Sequence, residues 1–348
     1  MIDLLDLDYD ELEAFISKEL KGPKFRVKQI WQWLWQKGVS DIDGMTNIAK
    51  GLRESLKSKA FLKHPDVDVV QTSKDGTIKL LLRLADGALV ETVLIPMEGR
   101  YTQCLSTQVG CAMGCTFCST GLMGFERNMT MSEILGQVLV GRAYLQEKGL
   151  NPLKNLVFMG MGEPLLNLDV LIKSLQTLNN IDGLSFVPRR ITVSSVGFVK
   201  QLEVLGASGL TLPAISLHAP NQELREKIMP KAAQTDLQDL LSAMDRYPLK
   251  PRERVTYEYL LLGGVNDSID HAKQLVRLLG HRKCKVNLIA YNPGEDLLYE
   301  APDPAQVLAF EKYLWDKDIT ATIRRSMGQD IKAACGQLKA DRKKESSS

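Results

Sequence analysis

Three cysteines within eight residues constrain this chain more than any other feature of its sequence. The stretch QCLSTQVGCAMGCTFCSTGLMGFER, from Gln103 to Arg127, holds Cys104, Cys111, Cys115 and Cys118, four of the six cysteines in 348 residues. The last three form a C-x3-C-x2-C run, tight enough for one loop to aim three thiolates at a common centre. A structural zinc closes with four tetrahedral ligands, usually two close pairs far apart in sequence, and a compact trio suits it poorly. A cubane iron–sulfur cluster is held by cysteine thiolates, and three protein ligands leave one iron open to another ligand. The loop therefore reads as the seat of a [4Fe-4S] cluster on Cys111, Cys115 and Cys118. A zinc site that recruits Cys104 as fourth ligand is the alternative.

Composition places the rest. Hydrophobic residues at 44% and charged residues at 25% are ordinary for a globular chain with a sizeable core. The N-terminus MIDLLDLDYDELEAF is acidic, unlike an export signal, and no apolar run approaches a membrane span. Clustered cysteines without a secretory segment favour a reducing, cytoplasmic location and no membrane partner. The formal net charge of +2 names no partner, but its distribution is uneven. Between Lys18 and Lys63 stand eleven basic residues against four acidic ones, a local +7 that suits a phosphate backbone. This stretch reads as helices over Asp10–Leu20, Arg26–Gln36 and Asn47–Ala60. Ile30, Trp31, Leu34 and Trp35 share one helical face as core, while Trp33 lies off it, to stack on a base or to cover the domain.

After His64 the pattern changes. Ile78–Leu84, Leu89–Ile95 and Tyr101–Ser106 read as strands separated by turn signals at Asp86-Gly87 and Gly99. From Met131 to Arg324 helix-like and strand-like segments alternate, which argues a parallel sheet with helices outside, closed or partly closed into a barrel. Chemistry in barrels collects in the loops after the strands. There stand the cysteine loop, Gly160, Gly162 and Glu163 in FMGMGEPL, Ser194, then Ser216, Leu217 and His218, and finally Asn292. The glycines let a ligand approach backbone amides or simply close a tight βα turn, and Glu163 can accept from a cationic amine. Taken alone, Glu91 reads as a surface carboxylate on an edge strand. Cys284, between two lysines at a strand entry, reads as structural.

The segments GCAMGCTFCSTG, GFERNMT, FMGMGEPL, SLHAP, AYNPG and AACGQL occur in the order seen in the RlmN/Cfr family of radical S-adenosylmethionine RNA methyltransferases, which the chain resembles over essentially its full length. The resemblance implies an α/β fold, a partial (β/α)6 radical SAM barrel with a small N-terminal helical domain. It divides the chain into a helical RNA-binding accessory domain at 1–64, a connecting β segment at 65–98, the barrel with a C-terminal catalytic cysteine segment at 99–338, and a disordered tail at 339–348.

The same resemblance assigns roles. A [4Fe-4S] cluster on Cys111, Cys115 and Cys118 chelates S-adenosylmethionine, which Gly162, Glu163, Ser194, Ser216, Leu217, His218 and Asn292 hold. Adenine C2 is electron-poor and carries no acidic proton, so polar methyl transfer to it fails and a radical route is required. One S-adenosylmethionine methylates the Cys335 thiolate, a competent nucleophile, and a second is cleaved reductively, two per turnover. Glu91 accepts the C2 proton, and Cys104 attacks the Cys335 sulfur to release the methylated base with a transient disulfide. The implied substrate is an adenosine in the peptidyl-transferase region of 23S rRNA, and in some members the adenosine 3′ of the anticodon in tRNA. A monomer served by an electron donor such as flavodoxin or ferredoxin is implied. A Cfr-like C8 methyltransferase, or an iron–sulfur or zinc RNA-binding module without catalysis, are the competing readings.

Overall fold

The structure, a computed structural model, describes residues 1–293 and 297–339. Gly294 of the AYNPG segment and the tail from 340 onward lie outside the described residues.

Helix α1 (Tyr9–Glu19) opens with a capping box: the Asp8 carboxylate accepts from the Glu11 amide at 2.8 Å and Glu11 accepts from the Asp8 amide at 2.9 Å. It packs on α2 (Phe25–Trp35), whose Ile30, Trp31, Leu34 and Trp35 are all buried, the two indoles edge-to-face at 5.7 Å. Helix α3 (Lys50–Lys59) completes the trio, and a short parallel pair of β1 (Ile2–Asp3) with β2 (Ala60–Phe61) ties the ends of the unit together. Trp33 is taken up locally: its indole N–H donates to Asn47 Oδ1 at 2.5 Å and the Lys37 ammonium sits 3.5 Å above its ring.

Strands β3 (Asp66–Thr72), β4 (Ile78–Arg83), β5 (Leu89–Met97) and β6 (Arg100–Cys104) form an antiparallel meander. The parallel part of the sheet begins at β6, so segment 65–98 extends the barrel sheet itself. Strand β3 carries no clear sequence signal because it is an exposed edge with a bulge between Val67 and Val69, and neither face is buried.

Beyond β6, a short antiparallel pair, β7 (Gln108–Gly110) with β8 (Phe125–Asn128), brackets the cysteine loop and a single turn of helix, α4 (Ser119–Leu122). Then follow α5 (Met131–Glu147), β9 (Leu153–Phe158), α6 (Leu168–Asn179), β10 (Ile191–Ser195), α7 (Val199–Ser208) and β11 (Leu212–Ser216). Helices α8 (Gln222–Ile228) and α9 (Leu237–Asp245) lead to β12 (Val255–Leu261), α10 (Ile269–Leu279), β13 (Cys284–Ala290), α11 (Pro304–Trp315) and β14 (Ala321–Arg324). The sheet order is β14-β13-β12-β11-β10-β9-β6-β5-β4-β3, with parallel pairing from β6 through β14. Six βα units thus build an open barrel wall whose described edges are β14 and β3. Its parallel strands are apolar runs because helices cover one face and the barrel interior the other. Parallel pairing also sends every strand's C-terminal end the same way, which gathers the loops after β6 and β9 through β14 at one rim.

Candidate active site

The cysteine loop is shaped by backbone geometry before any ligand arrives. Gly110 (φ +71°) lies where any Cβ would overlap the Gly124 carbonyl, and Cys111 N–H donates to that carbonyl at 2.7 Å. The turn closes with Cys118 N–H to Cys115 O at 3.1 Å. Met113, Phe117, Ile228, Met229 and Leu260 give the loop an apolar shell, with Cys111, Cys115 and Cys118 packed among them. Burial pushes the Cys111 thiol up to about 11 and raises Cys118, and it lifts Cys115 well above the ordinary thiol value; Cys118 adds to the rise of both Cys111 and Cys115. Such thiols ionise at neutral pH only beside a strong cation such as iron. A structural zinc closes with four ligands, whereas three thiolates on one loop suit a cluster that leaves one iron open. The donor set fits an iron–sulfur cluster.

Glu163 follows β9 and is buried. Its carboxylate accepts from Leu165 N–H at 3.1 Å and Val196 N–H at 3.0 Å, and burial still lifts it to about 7. Gly160 and Gly162 serve the protein's own packing: a Cβ at Gly162 (φ +98°) would lie 2.5 Å from Gln108 Cβ, and one at Gly160 2.7 Å from the Leu105 carbonyl. Both let this loop lie against the stem of the cysteine loop, where Gln108 Oε1 accepts from Glu163 N–H at 2.8 Å. On β10 and β11, the Ser194 and Ser216 hydroxyls are 3.3 Å apart, and Ser194 donates to Glu258 Oε2 at 2.7 Å. Leu217 N–H donates to the Glu258 carbonyl at 3.0 Å. His218 (φ +54°) accepts from Leu260 N–H at Nδ1, 3.0 Å, which leaves the proton on Nε2; burial and the Arg225 charge lower it to about 3. Asn292 lies at the same rim, where it donates to Ser326 Oγ at 3.0 Å and accepts from Gln329 Nε2 at 2.6 Å.

The C-terminal segment returns across the rim onto the cysteine loop. Ser119 N–H donates to Gly336 O at 2.7 Å and Thr120 Oγ1 to Leu338 O at 2.6 Å. Cys335 therefore sits beside the cluster loop, within electrostatic reach of both Cys118 and Cys104. Burial drives Cys104 up to about 12, with Arg324 opposing that shift. Glu91 departs from a surface reading: it is buried on an interior strand, its Oε1 lies 2.9 Å from Lys79 Nζ, and its Oε2 accepts from Lys339 N–H at 2.9 Å. Cys284 pairs with Val255 at the entry ends of β13 and β12, away from the rim, as a buried structural thiol.

Sequence reasoning missed Lys79, Glu258, Arg324 and Arg225. Glu258 and Arg324 face each other at 3.8 Å, and Arg324 also donates to Met159 Sδ at 3.5 Å. A charge inside an apolar run, as in IKLLL around Lys79 and VTYEYLL around Glu258, was the available signal.

Comparison with known proteins decides the family. Residues 2–62 match the family model described as the ribosomal RNA large subunit methyltransferase N-terminal domain, and residues 105–279 match the radical SAM superfamily. The chain is 65% identical to the dual-specificity RNA methyltransferase RlmN of Nitratidesulfovibrio vulgaris, over 98% of this chain and 95% of that protein. It is 63% identical to RlmN of Oleidesulfovibrio alaskensis, over 98% and 96%. The chain belongs to the RlmN family. A crystal structure of a radical SAM methyltransferase from Sphaerobacter thermophilus superposes with a TM-score of 0.93 at 40% identity, covering 98% of this chain and all of that one. The expected α/β radical SAM fold is thereby borne out, and membership of that superfamily implies a [4Fe-4S] cluster and S-adenosylmethionine. No helix among the described residues is long and apolar enough to cross a membrane.

Proposed function

We propose that the protein is a radical S-adenosylmethionine methyltransferase that adds a methyl group to C2 of an adenosine in the peptidyl-transferase region of 23S rRNA and to C2 of the adenosine 3′ of the anticodon in tRNA. The observation that carries this is the docking of the Cys335 segment, through Gly336 and Leu338, onto the loop of Cys111, Cys115 and Cys118, with Glu91 bound to the same segment. A cluster-binding module without catalysis has no use for a second sulfur held there.

Cys111, Cys115 and Cys118 would hold the cluster, and the chemistry it supplies when bound is one-electron cleavage of S-adenosylmethionine. Glu163 accepts from the cofactor's amino group; Gly162, Ser194, Ser216, Leu217, His218 and Asn292 orient its remainder. Cys335 takes a methyl group on its sulfur from a first S-adenosylmethionine, so two are used per turnover. The apolar shell of the loop keeps water from the reacting carbon. Glu91, its Oε1 2.9 Å from Lys79 Nζ, takes the proton from C2 once the substrate has displaced the Lys339 amide from Oε2. Cys104 closes a disulfide with Cys335 as the base leaves. The basic helical unit at 1–64 grips RNA backbone while the target base leaves its stack. A cytoplasmic monomer reduced by a flavodoxin- or ferredoxin-type donor completes this reading.

Mass spectrometry of nucleosides from 23S rRNA and tRNA, after anaerobic incubation with reconstituted protein, S-adenosylmethionine and reductant, tests it. The expected product is 2-methyladenosine from both RNAs. Exclusive 8-methyladenosine would assign the protein to Cfr-like chemistry, and no methylated base would favour the binding module.

A further inference from the structure

Arg225, near the middle of α8, is fully buried, with no carboxylate paired to it among the described residues. Its Nη1 donates to the carbonyls of Ala232 at 2.9 Å and Thr235 at 3.3 Å, and its Nη2 to that of Val196 at 2.5 Å. Its Nε is buried without an acceptor. All its acceptors are neutral, and among the described residues it forms no ion pair. Carbonyl dipoles orient the guanidinium but leave its full charge unanswered, and an unpaired charge inside a protein is strongly unfavourable. A fold that keeps such a cation has an anion in prospect beside it.

Its surroundings show where that anion belongs. Helix α8 ends against the cysteine loop, where Thr116 N–H and Oγ1 both donate to the Ile228 carbonyl, at 3.0 Å and 3.2 Å. Ile228 and Met229 share the apolar shell that encloses Met113, Cys115 and Phe117. Cys115, the residue before Thr116, lies in that same shell. His218, edge-on to Phe117 at 5.1 Å, is neutral, and Lys231, which donates to the Ala112 carbonyl at 2.6 Å, is exposed and screened by water.

We infer that Arg225 is the buried counter-charge of the iron–sulfur cluster held by Cys111, Cys115 and Cys118, and that it raises the cluster's reduction potential. This rests on the three-cysteine cluster of the proposed function. Three thiolates bring more negative charge than the oxidised iron–sulfide core brings positive, and reduction adds one electron more. A fixed cation in an apolar shell, where screening is weak, stabilises the reduced state more than the oxidised one. Arg225 touches no substrate in this scheme; it acts through the cluster, as a positioning and tuning residue.

The test is an anaerobic redox titration of the reconstituted holoprotein, followed by the electron paramagnetic resonance of the reduced cluster, in wild type, Arg225→Gln, Arg225→Lys and Lys231→Met. Arg225→Gln is expected to lower the equilibrium constant for reduction at least about tenfold, a negative shift of about 59 mV for a one-electron couple. Arg225→Lys keeps the charge and should stay near the wild-type potential, and Lys231→Met should move it less than Arg225→Gln does. An Arg225→Gln protein with full iron content and an unchanged potential overturns the inference. If Arg225→Gln fails to fold or to hold iron, Arg225→Lys decides: a wild-type potential supports the counter-charge, and a lowered one overturns it. Wild-type protein that assembles no cluster would defeat the underlying reading instead, and its iron content shows that separately.

Discussion

Cys104 gains its meaning from position. It ends β6, is buried, and lies within electrostatic reach of Cys335 and Arg324. Removing its sulfur should leave the adduct between Cys335 and the base with no thiol to release it. Cys104→Ala is expected to accumulate a protein–RNA crosslink, read as a slow band on a denaturing gel, and Cys104→Ala with Cys335→Ala should show none. His218 makes a pH prediction with a definite sign. Burial holds its imidazole near 3, below the ordinary 6.5, so the unfolded chain takes up the proton first. Stability carried by neutral His218 is complete above about pH 6.5 and is lost as pH falls toward 3. At about pH 5 the cluster-free wild type should have lost about 2 kcal/mol relative to its value at neutral pH. His218→Asn, which retains an acceptor for Leu260 N–H, should lose correspondingly less in denaturant titrations at the two pH values. At this scale the sequence exposed residues that sit in short motifs, the cluster cysteines, Glu163 and Cys335. Lys79, Glu258 and Arg324 were hidden because each is a lone charge whose partner lies on another strand, and Arg225 because it is held by backbone carbonyls that only the fold brings to it.

Turns and strand ends set the site's precision. The FMGMGEPL loop crosses the stem of the cysteine loop so closely that its glycines have no room for side chains. Gly162→Ala meets both a left-handed backbone and the Gln108 side chain, and should cost about 2 to 4 kcal/mol of stability in chemical denaturation. It should also weaken S-adenosylmethionine binding in calorimetry, because Glu163 moves with it. The alternation of helices and strands from α5 to β14 was legible to within a few residues, since buried parallel strands and amphipathic helices carry strong periodic signals, except for α8, whose seven residues are too few to show one. Strand β3 and the β7–β8 pair were not. The first is an exposed edge, and the second is three to four residues a side, held by the glycine contacts at Gly110 and Gly124.

Across the whole molecule, the local +7 of residues 18–63 is partly spent inside the fold. Lys24, Lys28, Lys57, Lys59 and Lys63 each lie within salt-bridge distance of a carboxylate, and these exposed pairs stay open to exchange with phosphate. Binding of 23S rRNA fragments should therefore weaken steeply with salt, and deleting residues 1–62 should flatten the slope of log affinity against log salt. An unchanged slope would take the grip on RNA away from this unit. Cys335, proposed to carry the one-carbon unit to the base on its sulfur, is tested most directly by its replacement with alanine. Anaerobic assays of the reconstituted Cys335→Ala protein, with nucleosides analysed by mass spectrometry, should show full iron content and no 2-methyladenosine. Methylated RNA formed by that variant at the wild-type rate would contradict the account.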